Sequence, residues 1–276
     1  MTTLITGGAG FIGSYVAKAL LAQGCSVLIL DNFDPYYDPQ LKRQRVDWLA
    51  TAGDVTVVEG DVRDVALLES LFKAHDIRDV VHLAAMPNVR YSVGRERLYV
   101  DVNTTGTLNV LELAKAYQVR QFVLASTSSV YGQTERVPFQ EDDAADRPLA
   151  AYPASKRAAE LLAHMYYNLY GLNITILRFF NVYGPMGRPD MMPMRLMKAA
   201  FSGEQMKFFN GGDIKRDWTY IDDTVNGVLA ALERPLGYEV INLGIGSPIS
   251  LNDFVHIIEE YTGRKINAVA VPTPPS

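Results

Sequence analysis

With 276 residues, 48% of them apolar, the chain can bury a large core, as one big domain or two unequal ones. Its formal net charge is −5 with acids and bases interspersed, which argues against nucleic acid or an anionic membrane as a bulk partner but leaves room for arginines around a small phosphate ligand. The single cysteine, Cys25, excludes an intrachain disulfide and suits a reducing, cytoplasmic setting; no signal peptide or membrane span is expected. His75, His82, His164 and His256 lack metal-ligand spacing, so no metal is expected.

The first strand is read at 2–6, followed by the run Thr6-Gly-Gly-Ala-Gly-Phe-Ile-Gly13 and a helix over 12–23. Strand, glycine turn and helix together are the context in which such a run binds a dinucleotide. Gly7, Gly10 and Gly13 let the backbone turn tightly, and the amides that open the helix, around Phe11 and Ile12, favour a pyrophosphate. A strand over 26–30 ends at Asp31, 18 residues after Gly13, where a carboxylate accepts hydrogen bonds from a ribose and repels a 2′-phosphate. Asn32 and Phe33 offer no arginine for that phosphate, so NAD is favoured over NADP.

Further strands are read at 55–58, 80–83, 121–125 and 174–178, and helices at 64–74, 97–117 and 153–170. This alternation predicts an α/β fold with a doubly wound parallel sheet of the Rossmann type, whose ligands bind beyond the strand ends. Asp61 and Val62, Leu83-Ala84-Ala85, the hydroxyl run 126–129, and Asn181 all follow strands. Past residue 180, Gly184, Pro185, Gly187, Pro189 and Pro193 interrupt the pattern, with a helix read at 224–233 and a strand at 239–243. The expected organisation is a cofactor domain over 1–180 plus about 214–243, and a smaller, discontinuous substrate cap over 181–213 plus 244–276. The acidic stretch 141–146 reads as a solvated loop.

Tyr152 and Lys156 stand at i and i+4 at the start of a helix, so both point the same way. A phenol of pKa ~10 is a poor base at neutral pH, and a neighbouring ammonium favours the phenolate. Thr127 and Ser128 would complete a hydroxyl relay to a substrate oxygen.

Together with His82-Leu-Ala-Ala85, Asn103 in 102–110, Ser126-Thr-Ser-Ser-Val-Tyr-Gly132, Arg178-Phe-Phe-Asn-Val-Tyr-Gly-Pro185 and Arg216-Asp-Trp-Thr-Tyr-Ile-Asp-Asp223, these pieces resemble the extended short-chain dehydrogenase/reductases, and within them the nucleotide-sugar epimerases. Asp31-Asn-Phe-Asp-Pro-Tyr-Tyr-Asp-Pro-Gln-Leu-Lys-Arg43, Val89-Arg-Tyr-Ser92 and Gly187-Arg-Pro-Asp-Met191 are most similar to the UDP-glucuronate 4-epimerases. The resemblance implies a bound NAD contacted by the glycine turn, Asp31, Asn32, Asp61, Val62, Leu83, Ala84, Ala85, Asn103, Tyr152 and Lys156, and a UDP-sugar contacted by Arg90, Asn181, Arg188, Phe208 and Arg216.

It further implies that Tyr152 removes the proton of the sugar 4-hydroxyl while C4 gives up hydride, and that the 4-keto sugar turns over before hydride returns. Arg188 is the expected carboxylate grip, since a guanidinium matches a carboxylate in bidentate fashion, with a structural role in its Pro/Gly turn as the alternative. Phe208 and Phe209 are read either as the uracil pocket or as cap core. Asn181 departs from the threonine usual in these epimerases and points instead to neutral sugars, making UDP-glucose or UDP-N-acetylglucosamine the alternative substrates. Serines at 128 and 129 replace the acids of related dehydratases and decarboxylases, which leaves epimerisation. A non-catalytic NAD-binding sensor or scaffold is the alternative of another class. The resemblance also implies a homodimer through helices 97–117 and 153–170, whose stripe of Leu161, Leu162, Met165 and Leu169 equally reads as core, and a cap shortened at its C-terminal end.

Overall fold

Continuous apolar runs form the strands of a sheet buried on both faces. In the computed structural model, which describes residues 1–272, these are β1 (Thr2–Thr6), β2 (Ser26–Asp31), β3 (Val55–Glu59), β4 (Ile77–His82), β5 (Gln121–Thr127) and β6 (Ile174–Phe179). A seventh strand, Tyr238–Leu243, completes the sheet beside β6. All pairings are parallel, in the order β3-β2-β1-β4-β5-β6 and then the seventh strand. The order reverses at β1, which places the ligand crevice at the carboxyl ends of β1 and β4.

The connecting helices are α1 (Phe11–Ala22), α2 (Pro39–Ala50), α3 (Val65–Ala74), the single turn α4 (Glu96–Tyr99), α5 (Gly106–Ala116) and α6 (Ala151–Tyr170). Leu4, Leu28, Leu30, Val80, Phe122, Leu124 and Ile176 pack in one cluster with Leu68, Phe72, Val110, Leu111, Ala159 and Ala163 from α3, α5 and α6. Their alternates Ile5, Ile29, Val81 and Val123, equally buried, point to the opposite face. Each such side chain contributes about 1.5–3 kcal/mol. The helix expected over 97–117 is divided: between α4 and α5 the turn Val100–Thr105 is a π-helix, a geometry that often marks functional positions.

This first unit comprises Met1–Phe179 and Asp222–Leu243, including most of a helix over Ile221–Glu233. The second comprises Phe180–Ile221 and the chain from Gly244 onward; residues 273–276 of the expected cap lie outside the described residues. In it Asn181–Tyr183 pairs with Trp218–Tyr220, Lys215–Arg216 with Ile249–Ser250, and Met206–Phe209 with Ala268–Val271. Residues 214–221, grouped by sequence with the cofactor domain, belong to this second unit, because their two short strands pair within it. Helices Met192–Ser202 and Leu251–Thr262 close a core of Leu196, Met206, Phe208, Trp218, Phe254 and Ile258, with Trp218 stacked on Phe254 at 4.8 Å.

Candidate active site

The glycine turn is built by close backbone approach. Gly7 has φ +70, and a Cβ there would lie 2.7 Å from the Ala84 nitrogen, so the turn rests on the Leu83–Ala84 peptide that follows β4. A Cβ on Gly13 would meet the Gly7 carbonyl and lie 2.7 Å from the Gly8 Cα, atoms that cannot move aside. Gly13→Ala is therefore expected to destabilise the protein by about 1–3 kcal/mol, measured by thermal melting, and to lower its bound nucleotide. Gly10 caps α1 without a side-chain hydrogen bond, and no acid stands in the first turn, so the amides of Phe11, Ile12 and Gly13 suit an anionic group.

Asp31 ends β2 almost fully buried. Its Oδ2 accepts from the Ala9 amide at 3.2 Å and its Oδ1 from the Phe33 amide at 2.9 Å and from Lys42 Nζ at 2.8 Å. The carboxylate expected to face a ribose is thus also the post on which the turn is fastened, and its charge is balanced by Lys42. Arg45, buried on α2, donates to the Ala9 carbonyl at 3.3 Å and to the Tyr37 hydroxyl at 2.7 Å. Asn32 donates to Asp61 at 2.8 Å, and Arg63 grips both Asp61 oxygens at 2.8 Å. The Arg63 hydrogen bonds hold the Asp61 carboxyl down at about 2 despite partial burial. Val62 is buried in the core cluster, and Ala84 and Ala85 are half-buried behind β4.

Asn103, expected among the cofactor contacts, has another task. It is fully buried in the π turn; its oxygen accepts from the Met86 amide at 2.7 Å, and its nitrogen donates to the Met86 carbonyl and the Ser155 hydroxyl. It ties the segment after β4 to α6. His82 is likewise structural, bridged to Thr6 and Thr107, and burial with the Lys156 charge pushes it down to about 3.

Thr127 closes β5, its hydroxyl accepting from the Ser129 amide at 3.2 Å, and Ser128 begins the short turn that follows. Tyr152 lies half-buried in the first turn of α6, its ring edge-on to Tyr99 at 6.2 Å. One turn on, Lys156 is buried, and among the described residues its Nζ has no hydrogen-bond partner. Burial pushes this ammonium down to about 8, opposed by the charge of Glu160 one further turn along. Glu160 is itself fully buried, accepting from Ser126, from Arg157 at 2.8 Å and from Arg178 Nη2 at 2.8 Å. The ion network beneath the Tyr–Lys pair was not assigned from sequence, although an arginine inside the apolar strand 174–179 is its visible trace.

Arg90 is exposed on the segment after β4, its amide donating to Asn88 at 2.9 Å. The other four expected substrate residues lie in the second unit. Asn181 opens its strand opposite Trp218. Arg188 is half-buried and forked onto Asp190, Nε to Oδ1 and Nη2 to Oδ2 at 3.0 Å each. Arg216 is exposed in its two-residue strand. Phe208 packs in the core of this unit with Met206, whereas Phe209 is half-buried; of the two readings for Phe208, the structure gives core.

An uncapped helix behind a glycine turn at the sheet's switch point, with a buried lysine one turn after a tyrosine, defines the class of Rossmann-fold enzymes that handle alcohols and carbonyls with a dinucleotide. The model of the NAD-dependent epimerase/dehydratase family matches residues 3–244, and the chain belongs to that family. It is 46% identical over 264 residues to a UDP-glucuronate 4-epimerase of Thermodesulfobacterium geofontis, covering 95% of this chain and 81% of the relative. Against UDP-glucuronate 4-epimerase 4 of Arabidopsis thaliana the identity is 44%, over 99% of this chain and 66% of the relative. The UDP-glucuronic acid 4-epimerase of Bacillus cereus, solved with UDP-glucuronic acid and NAD, superposes with a TM-score of 0.91 at 35% identity, covering all of this chain and 87% of that one.

Proposed function

We propose that the protein is an NAD-dependent nucleotide-sugar 4-epimerase that interconverts UDP-glucuronate and UDP-galacturonate. The observation that carries the enzymatic reading is the buried, unpartnered Nζ of Lys156 one helical turn after Tyr152: an orphaned ammonium is costly unless a ligand completes it, and a cofactor ribose would. The chemistry NAD supplies when bound is reversible hydride acceptance at the sugar C4. Tyr152 Oη takes the proton of the 4-hydroxyl and later returns it, the Lys156 charge favours its phenolate, and the Thr127 and Ser128 hydroxyls hold the same oxygen. Without an acid at 128 or 129, nothing expels water from the ketone. Asp31, Asn32, Asp61, Ala84 and the amides opening α1 are the proposed cofactor contacts, and Asn181, Arg188 and Arg216 the proposed substrate contacts.

Arg188 supports the choice of sugar. Its fork already engages a carboxylate, Asp190, in the bidentate geometry that a uronate would present. The same pair, with Asn181, gives the second reading: a guanidinium neutralised by Asp190 is compatible with a neutral sugar. NMR of the protein with UDP-glucuronate and UDP-glucose in turn, with no added NAD, separates them. Production of UDP-galacturonate alone supports the first reading, and turnover of UDP-glucose alone supports the second. Arg188→Ala is expected to lower kcat/KM for UDP-glucuronate by about 10–100-fold, the worth of a charged bidentate contact, while sparing any activity on UDP-glucose.

A homodimer is proposed through α6. Leu162 faces the core, whereas Leu161, Met165 and Leu169 on its other side are 56%, 38% and 59% exposed, an apolar stripe that a second copy would cover. Sedimentation of Leu161→Asp against the unaltered protein tests it. Among the described residues no helix is long and apolar enough to cross a membrane; a reducing, cytoplasmic setting is proposed from the lone Cys25.

A further inference from the structure

We propose that Tyr36, Asn88 and Tyr91 form a strap that keeps the dinucleotide resident in the first unit between turnovers; this rests on the NAD-binding reading above. Strands β2 and β4 lie on either side of β1, so their carboxyl ends are about 10 Å apart with the glycine turn after β1 between them. The connection after β2 carries Tyr36, and the segment after β4 carries Asn88 and Tyr91. Their tips meet: Asn88 Nδ2 donates to the Tyr36 hydroxyl at 2.7 Å, and the Tyr36 and Tyr91 rings stand edge to face at 5.0 Å. The contact therefore spans the strand that presents the glycine turn.

Both arms are held in place. At the first, Lys42 is fastened to Asp31 and Arg45 to the Ala9 carbonyl and the Tyr37 hydroxyl. At the second, Tyr99 donates to the Pro87 and Asn88 carbonyls, and the Arg95 guanidinium lies over the Tyr91 ring at 4.1 Å. Each arm contains a non-glycine residue with left-handed backbone, Phe33 at φ +50 and Asn88 at φ +78. Such conformations persist where surrounding contacts impose them. Tyr36 and Tyr91 also pack in one satellite cluster with Tyr99 and Tyr152, which couples the strap to the catalytic tyrosine. An epimerase returns to each product the hydride it removed, so a cofactor that left in mid-cycle would abort the reaction. A strap over the crevice supplies that retention without adding a group to the chemistry.

The test uses the 276-residue chain loaded with NAD and reads release by trapping freed NAD⁺ with excess alcohol dehydrogenase and ethanol, following NADH absorbance. Tyr36→Ala is expected to speed release at least about tenfold, the worth of an aromatic pair with a neutral hydrogen bond, and Tyr91→Ala, which removes the ring pair alone, by about two- to tenfold. Uptake by stripped protein should accelerate as well, because a strap obstructs entry and exit alike. The double variant should be little faster than Tyr36→Ala alone, since the ring pair that Tyr91→Ala removes is already lost there. Tyr36→Phe and Asn88→Gly, which keep the ring and the left-handed backbone respectively, should give smaller increases and carry the test if the alanine variants do not fold. Release at the unaltered rate from a variant with a normal melting temperature overturns the strap, as does faster release without faster uptake. If the unaltered protein holds no NAD and takes none up, the NAD-binding reading itself has failed, a result distinct from a loaded protein whose variants release normally.

Discussion

Replacing Tyr152 by phenylalanine is expected to lower kcat by about 10²–10⁴-fold while leaving NAD content and melting temperature close to those of the unaltered protein. The two halves of this outcome have separate causes. The ring keeps its place, because the edge-on contact with Tyr99 and the packing against Met86, Tyr99 and Val102 belong to carbon atoms that phenylalanine retains. What disappears is one oxygen, the only atom of that side chain able to carry the 4-hydroxyl proton. Thr127 and Ser128 cannot replace it, since an unactivated hydroxyl is a far weaker base than a phenolate beside an ammonium. Rates of C4 epimerisation followed by NMR, set beside the absorbance of co-purified nucleotide, check both halves. A sensor or scaffold would share the unchanged nucleotide content but would have no turnover to lose, so the rate alone separates the two.

The parts of this molecule legible in the sequence are those written in local pattern. The central parallel strands are short, fully buried apolar runs, and the edge strands Val55–Glu59 and Tyr238–Leu243, though only partly buried, keep the same β-branched runs, so all seven emerge within a few residues of their positions. The glycine turn and the Tyr152–Lys156 pair were readable for the same reason, as fixed spacings next to a strand or on a helix. Helix α2 was missed although Asp38 caps it and Pro39 opens it, because its face toward the sheet is served by Lys42 and Arg45 as much as by Leu49. An amphipathic pattern cannot be seen where arginine and lysine occupy the inward positions. Helix Leu251–Thr262 was missed despite the capping box of Ser250 and Asp253, a signal that depends on four residues rather than on periodicity. The π turn at 100–105 leaves no trace in hydrophobic spacing at all.

At the site, the sequence identified residues but not their partners. Asp31 was found by its distance from Gly13, whereas its ion pair with Lys42 depends on how α2 returns across the sheet. Asn103 lay in a recognisable motif, yet its amide is consumed by Met86 and Ser155, a use that only the packed π turn reveals. Arg188 stood out in its Pro/Gly turn, and its fork on Asp190 follows from a two-residue separation whose geometry only the folded turn fixes. For Asp31 and Asn103 the missing information is tertiary, a partner distant in sequence; for Arg188 the partner is two residues away and what the sequence lacks is the shape of the turn.

Lys156→Met is expected to raise the melting temperature of nucleotide-free protein by roughly 6–12 °C while abolishing epimerisation. The ammonium is buried, and among the described residues it has no hydrogen-bond partner. Its pKa falls from 10.5 to about 8, chiefly through burial, which corresponds to a cost of about 3 kcal/mol for keeping it charged at neutral pH. Methionine fills nearly the same volume without the charge. The pH dependence fixes the interpretation. Because the folded value lies below the unfolded one, the unfolded chain binds the extra proton between pH 8 and 10.5. The unaltered protein therefore gains stability over that window relative to Lys156→Met, so the difference between them narrows as pH rises through it and stays full below pH 8. A difference that ignores pH would mean the gain comes from packing, not from removal of a charge. Glu160 moderates the cost without cancelling it: its field favours the ammonium, but both of its oxygens are committed to Ser126, Arg157 and Arg178. The fold thus holds a buried cation to which Glu160 makes no hydrogen bond, a destabilising arrangement of the kind retained where function requires it.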